Sequence, residues 1–324
     1  MRPTMKDVAE AAGVALKTVS RVVNGEPGVR PATAERVREA IARLGYRRNE
    51  SARMLRSGRT STIGLVIEDV ADPFYSGLSR AVEDAAIRHG CLLLTGSSGE
   101  DPARERELVL AFCNRRVDGL IVVPAGDDHA YLRPELEAGV PAVFVDRPPG
   151  PGLDADTVLC DNAGGAALAV RHLLAGGHRR IAFLGDSPAI YTATERLRGY
   201  RETLGELFDE RLVAMHPPTP ESVRADLERM LALEDPPTAL FTGNGRITVT
   251  VLRAMCGRWL PLVGFDDFEL ADLLSPGVTV VAQDPVGMGR MAADLLFRRI
   301  AGDRGPAEHV RLPVRLVVRG SVAR

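Results

Sequence analysis

The chain has 324 residues, 41 basic and 43 acidic side chains and a formal charge of −2, with 45% hydrophobic and 26% charged residues. That composition is globular, the length suits two or three domains, and no apolar run approaches the ~18 residues of a membrane span. Met1 to Lys6 lack the apolar stretch of a secretory signal, so a cytoplasmic protein is expected. The near-neutral total hides an uneven distribution. Residues 1–60 hold 13 basic and six acidic groups, a charge of +7, and the rest of the chain carries −9. A basic head on an acidic body fits a nucleic-acid-binding arm on a separate domain, or an ordinary surface that happens to be uneven. Cys91, Cys113, Cys160 and Cys256 form no C-x-x-C pair and have no nearby His array, so no metal is expected. Cys91 and Cys160 fall in apolar, strand-like runs that predict buried thiols.

Thr4 can cap a helix from Met5 to about Ala12, with Asp7 in its first turn and Val8, Ala9, Ala11 and Ala12 on its apolar side. Gly13 permits a sharp turn into a second helix, about Leu16 to Asn24, with Val19, Val22 and Val23 inward. Two short helices joined in this way form a helix-turn-helix, whose second helix meets base edges in the major groove. There Lys17 and Arg21 can donate to guanine, Leu16 can pack on a thymine methyl, and Thr18, Ser20 and Asn24 suit phosphates. A third helix, about Ala32 to Leu44, follows Pro31 and ends before Gly45, with Val37, Ile41 and Leu44 closing a small core. Asn49 can cap a short fourth helix over 52–56, with no stability of its own. Met54 and Leu55 among arginines suit a minor-groove wedge, or a linker that tucks Leu55 against the body.

Met5 to Val14, Thr18 to Asn24, Ala40 to Tyr46 and Asn49 to Arg59 resemble the head and hinge of the lactose-repressor/purine-repressor (LacI/GalR) family. The resemblance implies a homodimer whose heads read a pseudo-palindromic, double-stranded operator and whose paired hinges insert Leu55 into the minor groove. The DNA-contact set it implies is Thr4, Leu16, Lys17, Thr18, Ser20, Arg21, Asn24, Asn49, Ala52 and Leu55, with Leu16, Lys17 and Arg21 on bases. Ala15 and Arg30 stand where the family commonly has Ser. The missing cap at Ala15 costs ~1 kcal/mol.

Beyond Thr62, short apolar runs alternate with helical stretches. Strands are predicted at 63–67, 92–95, 119–123, 142–145, 158–160, 181–184, 239–242, 262–265 and 278–281, with helices at about 73–89, 101–114 and 162–175 among those between them. Such a pattern specifies parallel sheets covered on both faces, in two α/β lobes. The expected architecture is therefore an all-α helix-turn-helix head (1–47), a hinge and linker (48–61), and a two-lobed α/β body (62–324). Ligands in such lobes bind beyond the carboxyl ends of strands. Asp72, Phe74, Asp146, Arg196, Asn244, Asp266 and Gln283 fall at those ends. Each suits a sugar hydroxyl or ring face, and each taken singly also suits a helix cap or a loop ion pair.

The resemblance continues through Asp69 to Tyr75, Arg116 to Ile121, Val145 to Arg147, Arg196 to Tyr200, Gly264 to Asp267 and Arg319 to Val322. It implies a body similar to periplasmic sugar-binding proteins, with a small-molecule effector held by the same seven residues, plausible as a sugar or sugar derivative. The chain departs from the family at Asn244-Gly245, where Asn-Asp is common, and in a shortened stretch at 255–262. No heptad tail follows Ser321, so a dimer is expected. An enzyme is disfavoured: the first strand leads into Glu68-Asp69 with no G-x-G-x-x-G, and no P-loop, G-x-S-x-G or H-E-x-x-H is present. No catalytic residue, cofactor or membrane partner is expected. His89, His172 and His178, beside charged helix ends, are expected on the surface.

Overall fold

A computed structural model of the chain describes residues 3–46, 59–255 and 259–322. The chain divides into two compact units, Met1–Thr60 and Ser61–Arg324.

The first unit holds α1 (Met5–Ala12), α2 (Leu16–Asn24) and α3 (Pro31–Leu44). Thr4 and Asp7 form a reciprocal capping box at the start of α1, and Gly13 ends that helix in the left-handed region at φ 63°. Val8, Val19 and Val37 are fully buried, with Ala40 and Tyr46, and Val22, Val23, Ile41 and Leu44 pack around them. Ala11, expected on the apolar side of α1, is exposed. Ala15 occupies the N-cap of α2 and Arg30 that of α3, neither with a side-chain cap.

The second unit contains, in chain order, β1 (Thr62–Ile67), α4 (Pro73–Arg88), β2 (Leu92–Ser97), α5 (Pro102–Asn114), β3 (Leu120–Val122), α6 (Arg133–Glu137), β4 (Ala142–Val145) and β5 (Asp156–Cys160). It continues with α7 (Asn162–Ala175), β6 (Ile181–Gly185), α8 (Tyr191–Leu204), β7 (Val213–Met215), α9 (Pro220–Leu231), β8 (Ala239–Thr242) and α10 (Gly245–Ala254). The last elements are β9 (Leu262–Phe265), β10 (Thr279–Ala282), α11 (Pro285–Ile300), β11 (His309–Leu312) and β12 (Arg315–Val317). They build two six-stranded sheets, ordered β11-β5-β4-β3-β1-β2 and β12-β10-β9-β8-β6-β7. Every strand pair is parallel except β10 with β12. Central strands are apolar throughout because helices cover both faces of each sheet; β4, β8, β9 and β10 are buried at every position.

The chain passes between the sheets three times: after β5, after β10 and between β11 and β12. Each lobe therefore contains sequence from both halves of the body. Close helix contacts hold the lobes internally. Gly289 of α11 lies so near α4 that a Cβ there would meet Leu78 O at 2.5 Å, and Gly199 of α8 meets the backbone of Ala163 in α7 more tightly still.

Two expectations are corrected here. His178 is buried, not solvated, because its ring packs beside the residue that leads into β8, with Nδ1 3.1 Å from Thr238 Oγ1. Cys91 is only half-buried, since it leads into the edge strand β2, whereas Cys160 on central β5 is buried. Neither these two nor Cys113 forms a disulfide.

Candidate functional site

Two regions gather the predicted residues. In the first unit, α2 places its apolar residues on one side and Leu16, Lys17, Ser20, Arg21 and Asn24 on the other, by the i, i+4 spacing. Leu16 and Lys17 are exposed at the start of α2, and Thr18, Ser20, Arg21 and Asn24 are half-buried. Asn24 Nδ2 donates to Ser20 Oγ at 3.3 Å and to Glu26 Oε1 at 3.1 Å, and Arg21 Nε lies 3.9 Å from Glu26. Glu26 thus restrains two of the polar groups on this face. Thr4 is exposed, its hydroxyl engaged with Asp7 in the cap. Asn49, Ala52 and Leu55 lie outside the described residues.

In the second unit, the carboxyl ends of both sheets face a cleft of about 330 Å³. All seven residues predicted at strand ends line it: Asp72, Phe74, Asp146, Arg196, Asn244, Asp266 and Gln283. Asp72 and Asn244 also cap α4 and α10, accepting from Phe74 N at 2.9 Å and Ile247 N at 2.8 Å. The cap and the cleft wall are one structure at these positions. Phe74 stands edge-on to Tyr75, centroids 5.0 Å apart.

Asp146 and Asp266 are equivalent in the two lobes. Each follows a central strand, β4 or β9, in the left-handed region, with φ of 69° and 70°. Each amide donates across to the next strand, to Val158 O and Val281 O, both at 2.9 Å. Holding a non-glycine residue in that region costs on the order of 1–3 kcal/mol and is concentrated at binding sites.

Arginines organise both walls. Arg196, 4% exposed, donates from Nε to Asn162 Oδ1 at 2.8 Å and from Nη1 to Gly243 O at 2.6 Å. Its Nη1 is 3.5 Å from Asp266 Oδ2, and its guanidinium lies 3.8 Å from the Phe265 ring centre. Gln283 Nε2 donates to Asp266 Oδ1 at 2.5 Å. Because a carboxylate can only accept, this fixes the amide so that the buried Gln283 Oε1 is left without a partner. The same logic at Asn162, whose oxygen accepts from Arg196, leaves its Nδ2 unpartnered.

Residues outside the predicted set complete the opposite wall. Arg147 forks onto Glu100 at 2.7 and 2.5 Å, donates to Pro124 O at 2.8 Å, and lies 3.5 Å from both Glu68 and Asp146. Arg246 of α10 reaches across to Glu68 at the end of β1, Nη1 to Oε1 2.6 Å, and lies 3.4 Å from Asp186 at the end of β6. Asp186 also accepts from Asn244 Nδ2 at 3.0 Å. Burial, reinforced by the Glu100 carboxyl beside it, pushes Glu68 up to about 8. Burial also acts to raise Glu100, but the Arg147 fork outweighs it and holds that carboxyl below the usual range. Burial raises Asp146 and Asp72. Arg147 sits in the Val145-Asp-Arg run and Glu68 ends the first strand, so both were within reach of the strand-end rule. Arg246 carries no such signal, being one residue inside a helix. Among the described residues, no group of three or more His, Cys, Asp or Glu could hold a metal ion.

Residues 4–49 match the family model of bacterial regulatory proteins of the lacI family, and residues 170–322 match a periplasmic binding protein-like domain. The chain is 37% identical to the HTH-type transcriptional regulator CelR of Thermobifida fusca, over 99% of this chain and 98% of CelR. The chain belongs to the LacI family. The HTH-type regulator PtxS of Pseudomonas aeruginosa is 35% identical over 99% of this chain and 96% of its own. Among solved structures, the lac repressor dimer bound to operator and an anti-inducer superposes with a TM-score of 0.86 at 28% identity, covering all of both chains. A CelR–cellobiose complex superposes at 0.71 and 34% identity, covering 99% of this chain and all of that one. This LacI-family protein is a DNA-binding transcriptional regulator, a class without catalytic activity. Among its described residues no helix is long and apolar enough to cross a membrane.

Proposed function

We propose that this regulator is a cytoplasmic, homodimeric repressor whose operator occupancy is set by a carbohydrate held in the cleft between its lobes. The observation that carries the proposal is the construction of that cleft. Polar groups from both sheets converge on it, and one buried amide atom of its lining, Gln283 Oε1, has no protein partner among the described residues. A ligand hydroxyl can donate to that oxygen. CelR, whose structure was solved with cellobiose, supports a sugar as the class of ligand.

In this reading Leu16, Lys17 and Arg21 meet base edges, while Thr4, Thr18, Ser20 and Asn24 hold phosphates. Residues 48–61, with Asn49, Ala52 and Leu55, act as the DNA-contacting hinge that joins the head to the body. The +7 head supplies salt-dependent affinity, and the acidic body adds none. Effector binding changes the relative position of the lobes, which the Arg246–Glu68 contact already bridges. The coupling of effector to operator is reciprocal. Anisotropy titration of the operator with and without saccharides tests it. A saccharide that binds the cleft should change operator affinity severalfold. A saccharide that binds while leaving operator affinity and the hinge unchanged would remove the regulatory role.

A further inference from the structure

The charge arrangement of the cleft bears on which carbohydrates it takes, and this inference rests on the effector reading above. The three arginines that build its walls are already committed. Arg147 is forked onto Glu100 and flanked by Glu68 and Asp146. Arg196 is used by Asp266, Gly243 O and Asn162. Arg246, the most exposed of the three, is strung between Glu68 on one lobe and Asp186 on the other. A fourth, Arg253, lines the cleft from the exposed face of α10. Against these four cations stand Glu68, Asp72 and Asp146 from one lobe and Asp186, Asp266 and Asp267 from the other. Asp72 has no cation within ion-pair distance among the described residues, and its Oδ1 is used only for the cap of α4.

We propose that the cleft selects uncharged, polyhydroxylated ligands and rejects sugar acids and sugar phosphates, with Arg246 acting as an interlobe latch and not as an anion receptor. An incoming carboxylate or phosphate meets no guanidinium without a carboxylate partner on the inner walls. To pair with Arg246 it would have to displace Asp186, which has no other cation within ion-pair distance among the described residues, or Glu68, which would keep only Arg147 at 3.5 Å. A neutral hydroxyl has no such conflict. It donates to Asp72 or Gln283 Oε1 without disturbing any ion pair.

The test uses the full-length protein and matched ligand pairs at constant ionic strength: cellobiose with cellobionate, and glucose with gluconate, glucose 6-phosphate and glucosamine, by calorimetric titration. The neutral member of a pair should bind at least about tenfold more tightly than its acid or phosphate. Glu68→Gln together with Asp186→Asn, which frees Arg246 of charge partners, should narrow that ratio toward unity. Binding of an acid or phosphate as tightly as its neutral parent overturns the inference and leaves the effector reading standing. A clear preference for glucosamine over glucose overturns the restriction to uncharged ligands. Failure of every saccharide to bind overturns both the inference and the reading beneath it.

Discussion

Replacing Arg196 with Ala separates its two roles. The side chain is nearly inaccessible, and its loss removes two hydrogen bonds, the ion pair with Asp266 and the stack on Phe265. Asn162 Oδ1, Gly243 O and one oxygen of Asp266 then face a void. Breaking one side of a buried ion pair costs about 3–5 kcal/mol, a figure that already includes the stranded partner. The hydrogen bonds belong to the same network and do not add in full. At about 2–4 °C per kcal/mol for a domain of this size, the melting temperature of the body should fall by roughly 10 °C. Calorimetric titration of the same variant should show effector binding lost, while the head retains nonspecific DNA binding. Arg196→Lys keeps a cation near Asp266 but cannot reproduce the planar fork, so it should fall between the two. A variant that melts within about 2 °C of the parent would show that Arg196 does not hold the strand ends together. Undiminished effector affinity would show that it does not form the binding wall.

Glu68 gives a pH signature. In the unfolded chain it titrates near 4.5, and in the fold near 8. Between these values the folded state holds a proton that the unfolded state has lost, so this residue's contribution is full below 4.5 and declines as pH rises through 8. Glu68→Gln keeps the neutral form and should flatten that decline in urea denaturation at pH 5, 6.5 and 8; parallel curves for parent and variant contradict it. Ala15→Ser supplies the missing cap of α2 and should raise the head's stability by about 0.5–2 kcal/mol, read from hydrogen exchange of the α2 amides. Arg21→Ala should cost roughly 1–3 kcal/mol in operator binding and relax one base position in a binding-site selection. An unchanged sequence preference would remove Arg21 from base readout.

Local rules made the head and the strand ends legible. Thr4 and Asp7 sit at the spacing of a capping box, Gly13 and Gly45 end helices in the left-handed region, and the apolar runs of the central strands announce sheets buried on both faces. β7, β11 and β12 carry no clear signal in the sequence because they are three or four residues long and, unlike the central strands, hold half-buried or exposed residues such as His309, Arg311 and Arg315. His178 looked like surface because its neighbours in sequence are charged; its burial depends on Thr238, sixty residues away.

The order of residues alone was enough to read the class of protein. Helix caps, turn glycines, strand hydrophobicity and the placement of charge depend on neighbours a few residues away, and they point to a DNA-binding head on an α/β sensor. The tertiary structure decided the electrostatics of the cleft. Glu68, Glu100, Arg147, Asp186 and Arg246 come from five separate stretches of chain, brought together because both sheets direct their carboxyl ends to one place. A pattern of residue types shows that charges exist. Only distances of 2.5 to 3.5 Å show which arginine each carboxylate has already taken, and so which charge a ligand would meet.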